Sequence, residues 1–117
     1  RRANAEYYNA RFADVEEIVA PVEREGCFHV YNQYVIRLPE RDRARQFLGE
    51  LGIGCAVYYP LPLHRQECFA HLGYHPGSMP ESNRASEEVL ALPVFPELTR
   101  EQQDEVVAAV KQHLATV

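Results

Sequence analysis

Apolar residues recur along the first part of the chain at Tyr8, Phe12, Val15 and Val19, with Ile18 beside them. That spacing is one face of an amphipathic helix and predicts a leading helix over residues 1–19, stopped by Pro21. Residues 28–38 then alternate. Phe28, Val30, Tyr34, Ile36 and Leu38 point one way, and His29, Tyr31, Gln33, Val35 and Arg37 the other, which predicts a strand with Asn32 as a polar intruder in its core-facing row. Helical spacing returns over residues 39–51. Ala44, Phe47, Leu48 and Leu51 form its stripe, with Phe47 expected against the sheet, and Gly52 stands where a left-handed residue ends a helix. Residues 55–59 read as a short apolar strand, halted by Pro60 and Pro62. Residues 64–72 read as a short helix closed by Gly73. Ser78-Met79-Pro80-Glu81 has the form of a capping box opening the next helix. Residues 89–94 make a third strand before Pro96. Thr99-Arg100-Glu101-Gln102 is a second capping box, and the last helix buries Val106, Val107, Val110 and Leu114.

Helices that alternate with a few strands predict an α/β fold of the α+β type: a small, mainly antiparallel sheet of about three strands covered by helices. The 117 residues suffice for one domain, residues 1–117, divided into the leading helix of residues 1–19 and a sheet with packing helices over residues 20–117. A net charge of −5 supplies no basic field for nucleic acid or an anionic membrane, so neither is expected as a partner. No apolar run is long enough to span a bilayer. The three cysteines, Cys27, Cys55 and Cys68, are an odd number without a close pair, which argues for reduced thiols and a cytoplasmic setting. The chain opens at Arg1 directly into a helical pattern and reads as a piece of something longer.

Several constellations could carry chemistry. His64, Cys68, His71 and His75 have the residue types of a zinc site, but Gly73 and Pro76 should break the helix that would align them. Cys55, in an apolar strand, reads as an inert thiol, and Cys27 has no evident base. Gly52-Ile53-Gly54 follows a helix and enters a strand, the wrong order for a phosphate loop. Lys111, the only lysine, sits at the edge of the last helix's apolar stripe and reads as a snorkelling surface residue rather than a Schiff-base former. The expectation is therefore no metal site, no catalytic residue and no cofactor-binding residue in this chain. Two other segments concentrate Tyr, His and Asn where a strand meets a fixed loop: residues 29–37 and residues 58–64. Polar aromatics on rigid backbone suit a hydroxyl-rich ligand, and a merely wet sheet face is the alternative.

The same segments carry a resemblance. His29-Val30-Tyr31-Asn32-Gln33-Tyr34-Val35-Ile36-Arg37, Leu51-Gly52-Ile53-Gly54, Tyr59-Pro60-Leu61-Pro62-Leu63-His64, Leu72-Gly73-Tyr74 and Leu92-Pro93-Val94-Phe95-Pro96-Glu97-Leu98-Thr99 occur in the order found in the DegT/DnrJ/EryC1/StrS aminotransferases, and nearly the whole chain resembles that family. The resemblance implies the C-terminal small domain of a fold-type I enzyme that uses pyridoxal phosphate to move an amino group, usually from glutamate, onto a keto group of a nucleotide-linked sugar. Such enzymes serve deoxysugar or cell-surface polysaccharide synthesis. It implies a homodimeric parent whose N-terminal domain, absent here, holds the cofactor and its lysine, so the fragment alone should be inactive. By the match Tyr31, Asn32, His29, Tyr58, Tyr59 and His64 would bind substrate. The family often has His where this chain has Asn32 and Tyr58. Two other readings stand beside this one: a free-standing α/β ligand-binding or regulatory module, and a small zinc protein.

Overall fold

The computed structural model describes residues 1–116. At its centre Tyr34–Arg37 (β1) and Val89–Leu92 (β2) pair antiparallel, with Tyr34 opposite Leu92 and Ile36 opposite Leu90. These four side chains point to one face and are all buried. Among the described residues the sheet has two strands, not three. Single-residue bridges extend it on each side: Val19 pairs with Arg37, and Ala56 pairs with Ala91. The strand expected over residues 55–59 thus shrinks to Ala56. Gly54 precedes it and Pro60 and Pro62 follow, so little of the segment can hold and continue a ladder.

Helix α1 covers Arg2–Phe12 and buries Asn4, Ala5, Tyr8 and Phe12. It is shorter than the leading helix of residues 1–19. Asp14, Glu16 and Glu17 follow its last turn, where the helix dipole disfavours negative charge. The chain continues in turns, with Val15 N–H donating to Phe12 and Ile18 N–H to Val15. Ile18 is still buried and Val15 half-buried, but Val19 is exposed and bridges to Arg37 instead of lining a helix.

The strand expected over residues 28–38 forms only at Tyr34–Arg37. Tyr31 adopts φ 48°, and its amide donates to the imidazole Nδ1 of His29 at 2.9 Å. A left-handed residue reverses the chain and shifts the alternation. Tyr31, Tyr34, Ile36 and Leu38 face in, while Phe28 at 72% and Val30 at 60% face solvent. Asn32 is exposed, so it does not interrupt a core row.

Helix α2, Arg41–Glu50, buries Arg41, Ala44 and Leu48. Phe47 is half-buried and meets His113 of the last helix, ring centroids 6.1 Å apart, rather than the sheet; Leu51 is exposed. Gly52, at φ 79°, ends the helix as expected. Its N–H bonds to Gly49 and the Ile53 N–H to Leu48, the paired bonds of a Schellman turn. Residues 63–72 form two 3₁₀ helices, Leu63–Arg65 and Glu67–Leu72, in place of one short α-helix. Helix α3, Pro80–Glu88, starts where expected but without the Ser78 box: the Ser78 hydroxyl accepts from the His75 amide, and Pro80 sets the first turn. Helix α4, Arg100–Ala115, has the full capping box between Thr99 and Gln102 and buries Val106, Val107 and Val110. It packs against α1 and α2. No described helix is long and apolar enough to cross a membrane.

Candidate functional site

Loop 23–33 is built by charge and stacking. Arg2 pairs with Glu23 and lies over the Phe28 ring at 4.0 Å. That arginine holds the Glu23 carboxyl below its usual range, helped by the His29 amide. From His29 inward an aromatic ladder descends into the core. His29 stacks on Tyr31 at 3.9 Å, Tyr31 meets Tyr34 at 6.3 Å, Tyr34 meets Tyr8 at 4.8 Å and Tyr8 meets Phe12 at 6.0 Å. The Tyr34 hydroxyl donates to Asn9 and the Tyr8 hydroxyl to the Pro93 carbonyl, so both buried phenols have partners. Burial pushes both phenols well up from the usual tyrosine value. Arg1 reaches the carbonyls of Asn32 and Val94, at 3.1 and 3.0 Å, and ties this loop to the end of β2.

Two cavities open on the side of the molecule bearing residues 54–62. The larger, about 560 Å³, is mostly apolar: Tyr58, Tyr59, Leu61, Leu63, Phe69, Leu72, Tyr74 and Met79 line it, with His64, Gln66, Ser82 and Ser86 as polar members. The smaller, about 420 Å³, is lined by Asn32, Gln33, Gly54, Cys55, Tyr58 and the β2 end through Val94. Tyr58 lines both. The structure thus brings Asn32 and Tyr58 together in one cavity, and Tyr58, Tyr59 and His64 in the other. His29 and Tyr31 line neither; they stack on each other in the loop just before Asn32. Within the larger cavity His64 sits edge-on to Tyr74 at 6.3 Å, and its Nε2 is buried without a partner among the described residues.

Sequence patterning misses Arg1, Arg2 and Glu23, which fix the loop, and Gln33, Phe69, Tyr74 and Met79, which line the cavities. The adjacent arginines at the start of α1 are a signal only once the loop that they meet is known.

The zinc candidates do not gather. Among the described residues no three His, Cys, Asp or Glu side chains lie close enough to hold a metal. The His75 ring instead accepts from Gly77 N–H at 3.2 Å, and Cys68 is exposed. Cys55 is half-buried, and desolvation raises its thiol above the ordinary value, opposed by Arg45. Lys111, half-buried on α4, pairs with Asp14 at 3.8 Å and lines neither cavity. The residues present therefore do not fit covalent attachment of a pyridoxal cofactor.

The sequence model of the DegT/DnrJ/EryC1/StrS aminotransferase family matches residues 1–111. The chain belongs to this family. DegT/DnrJ/EryC1/StrS aminotransferases are pyridoxal-phosphate-dependent. Among relatives, the chain is 46% identical over 114 residues to the pleiotropic regulatory protein of Geobacillus stearothermophilus, covering 96% of this chain and 31% of that protein. It is 37% identical over 116 residues to the dTDP-3-amino-3,4,6-trideoxy-alpha-D-glucose transaminase of Micromonospora megalomicea subsp. nigra, covering 96% and 31%. The fold matches DesV of S. venezuelae, solved with a ketimine intermediate, at TM-score 0.90 and 31% identity over 95% of this chain and 30% of that one. The chain thus spans about 30% of the length of these relatives. The DegT/DnrJ/EryC1/StrS fold agrees with the expected α+β class, with the sheet reduced to two strands.

Proposed function

We propose that this chain is the C-terminal small domain of a cytoplasmic, homodimeric aminotransferase that moves an amino group from glutamate to the keto group of a nucleotide-linked sugar. In this reading residues 1–117 form a single unit. Pyridoxal phosphate and its lysine belong to the remainder of the enzyme, and the small domain alone turns nothing over. Asn32, Tyr58, Tyr59 and His64 border the sugar nucleotide, and Tyr31 and His29 belong to the same substrate site from the loop beside Asn32. The observation that carries this is the position of Tyr58 between two cavities, one shared with Asn32 and one with Tyr59 and His64. Side-chain amides and phenols on a rim fixed by prolines and by Arg1 can donate to and accept from hydroxyls, and apolar walls pack against a sugar's carbon face.

The chemistry expected of these groups is binding and orientation. Asn32, exposed on the rim, has no role in packing, so its replacement separates binding from folding. In the intact enzyme Asn32→Ala raises KM for the keto sugar several-fold, on the order of one hydrogen bond. The cofactor's absorbance and the melting temperature stay as in the parent. Tyr31→Phe, which removes one hydroxyl, has a smaller effect in the same direction. Unchanged sugar kinetics in both variants would remove residues 31 and 32 from the substrate site.

A further inference from the structure

The loop before β1 selects one tautomer of one neutral imidazole. The backbone of His29 is gripped on both sides: its carbonyl accepts from Arg2 at 2.7 Å, its amide donates to Glu23 at 2.8 Å, and Arg2 and Glu23 pair with each other. The ring lies flat on Tyr31, with 7° between the planes. Its Nδ1 accepts the Tyr31 amide. A backbone amide only donates, so Nδ1 carries no proton and the neutral ring holds its proton on Nε2. Backbone, ring plane and tautomer are thus all set, and Nε2–H makes no hydrogen bond to the described residues.

We propose that His29 is a preoriented hydrogen-bond donor, through Nε2–H, to an oxygen of the nucleotide sugar, either a sugar hydroxyl or a phosphate. This rests on the sugar aminotransferase reading above and assigns His29 a role within it. The same geometry argues against His29 as a general base or a metal ligand. Either role needs a bare Nε2, which moves the neutral ring's proton to Nδ1, where it would meet the Tyr31 N–H head-on. A fixed donor also costs less entropy on binding than a free side chain.

A purely structural role is separable from this one. Asn at position 29 can close the same turn, its carbonyl oxygen accepting the amide two residues on, but it has no donor where Nε2 stands. The experiment measures binding of a thymidine diphosphate hexose and of thymidine diphosphate alone to the intact aminotransferase and its His29→Asn variant. ¹⁵N-histidine spectra of the wild type are recorded alongside. The expected result is a protonated Nε2 and a bare Nδ1, with hexose nucleotide affinity lower by about two- to tenfold in His29→Asn at an unchanged melting temperature. An equal loss for thymidine diphosphate places the acceptor on phosphate; a loss confined to the hexose nucleotide places it on the sugar. Wild-type affinity in His29→Asn, or a proton on Nδ1, overturns the proposal. A wild type that binds neither ligand, nor uridine diphosphate and its hexose in their place, overturns the sugar reading itself, and the proposal with it.

Discussion

Arg41 shows how one side chain can join three elements. Its guanidinium is buried, with the side chain 5% exposed, and it donates to the carbonyls of Val89 at 2.8 Å and Ser86 at 2.6 Å while pairing with Asp42. A charged hydrogen bond contributes about 1.5–3 kcal/mol, and truncation leaves carbonyls unpaired. Arg41→Ala should therefore lower the urea-derived stability by about 3 kcal/mol, and Arg41→Lys should recover only part, because lysine lacks the planar fork. His113 gives a pH dependence. It is 3% exposed on α4 and its Nε2 has no partner among the described residues. Burial holds its imidazole below the ordinary range, Arg43 lowers it further and Glu40 opposes. The C-terminal end of α4 favours a cation, but burial outweighs it. The unfolded chain then binds the proton more readily than the folded one, so stability rises with pH through the window just below the ordinary histidine value. Urea midpoints at about pH 7 and about pH 5.5 should show the acid loss, and His113→Leu should flatten it.

The elements best legible in the sequence are those whose ends meet a local backbone demand. Gly52 and the Thr99–Gln102 box are read correctly because a left-handed φ and two orphan amides are needs of the chain itself. A Cβ at Gly52 would meet nothing within 4 Å, so Gly52→Ala tests conformation alone and should cost about 1 kcal/mol in chemical denaturation. Thr99→Ala should cost a similar amount, about 1 kcal/mol. Elements that depend on distant partners are not legible in this way. The alternation over residues 28–38 is real, but its phase changes at Tyr31, where the ring of His29 caps a turn. Nothing in the apolar pattern encodes that bond. The apolar run at residues 55–59 lies beside β2 yet pairs with it only at Ala56, between Gly54 and the two prolines. Phe47 fits its stripe, yet α4 rather than the sheet lies opposite, leaving it half-buried. The substrate candidates divide likewise. The segment over residues 58–64 can be picked out from its prolines and tyrosines, while the arginine clamps on loop 23–33 come from the start of α1, far from the loop in sequence.

At the scale of the whole molecule, apolar surface is unevenly placed. Tyr59, Leu63 and Leu72 are each more than half exposed and border one cavity. A dye that fluoresces on exposed apolar surface should bind the native chain, and Leu63→Ser with Leu72→Ser should reduce the signal without lowering the melting temperature. The aromatic ladder has a spectroscopic use. The chain has no tryptophan, so its ultraviolet signal comes largely from tyrosine. Two of those phenols, Tyr8 and Tyr34, are fully buried on facing elements, one on α1 and one on β1. Their ionisation is favoured in the unfolded chain, so stability falls as pH rises beyond the ordinary tyrosine value. Phenolate absorbance in an alkaline titration should then include a cooperative step as α1 parts from the sheet, and Tyr8→Phe should diminish that step. The ladder thereby serves as an internal optical gauge of whether the first helix is docked.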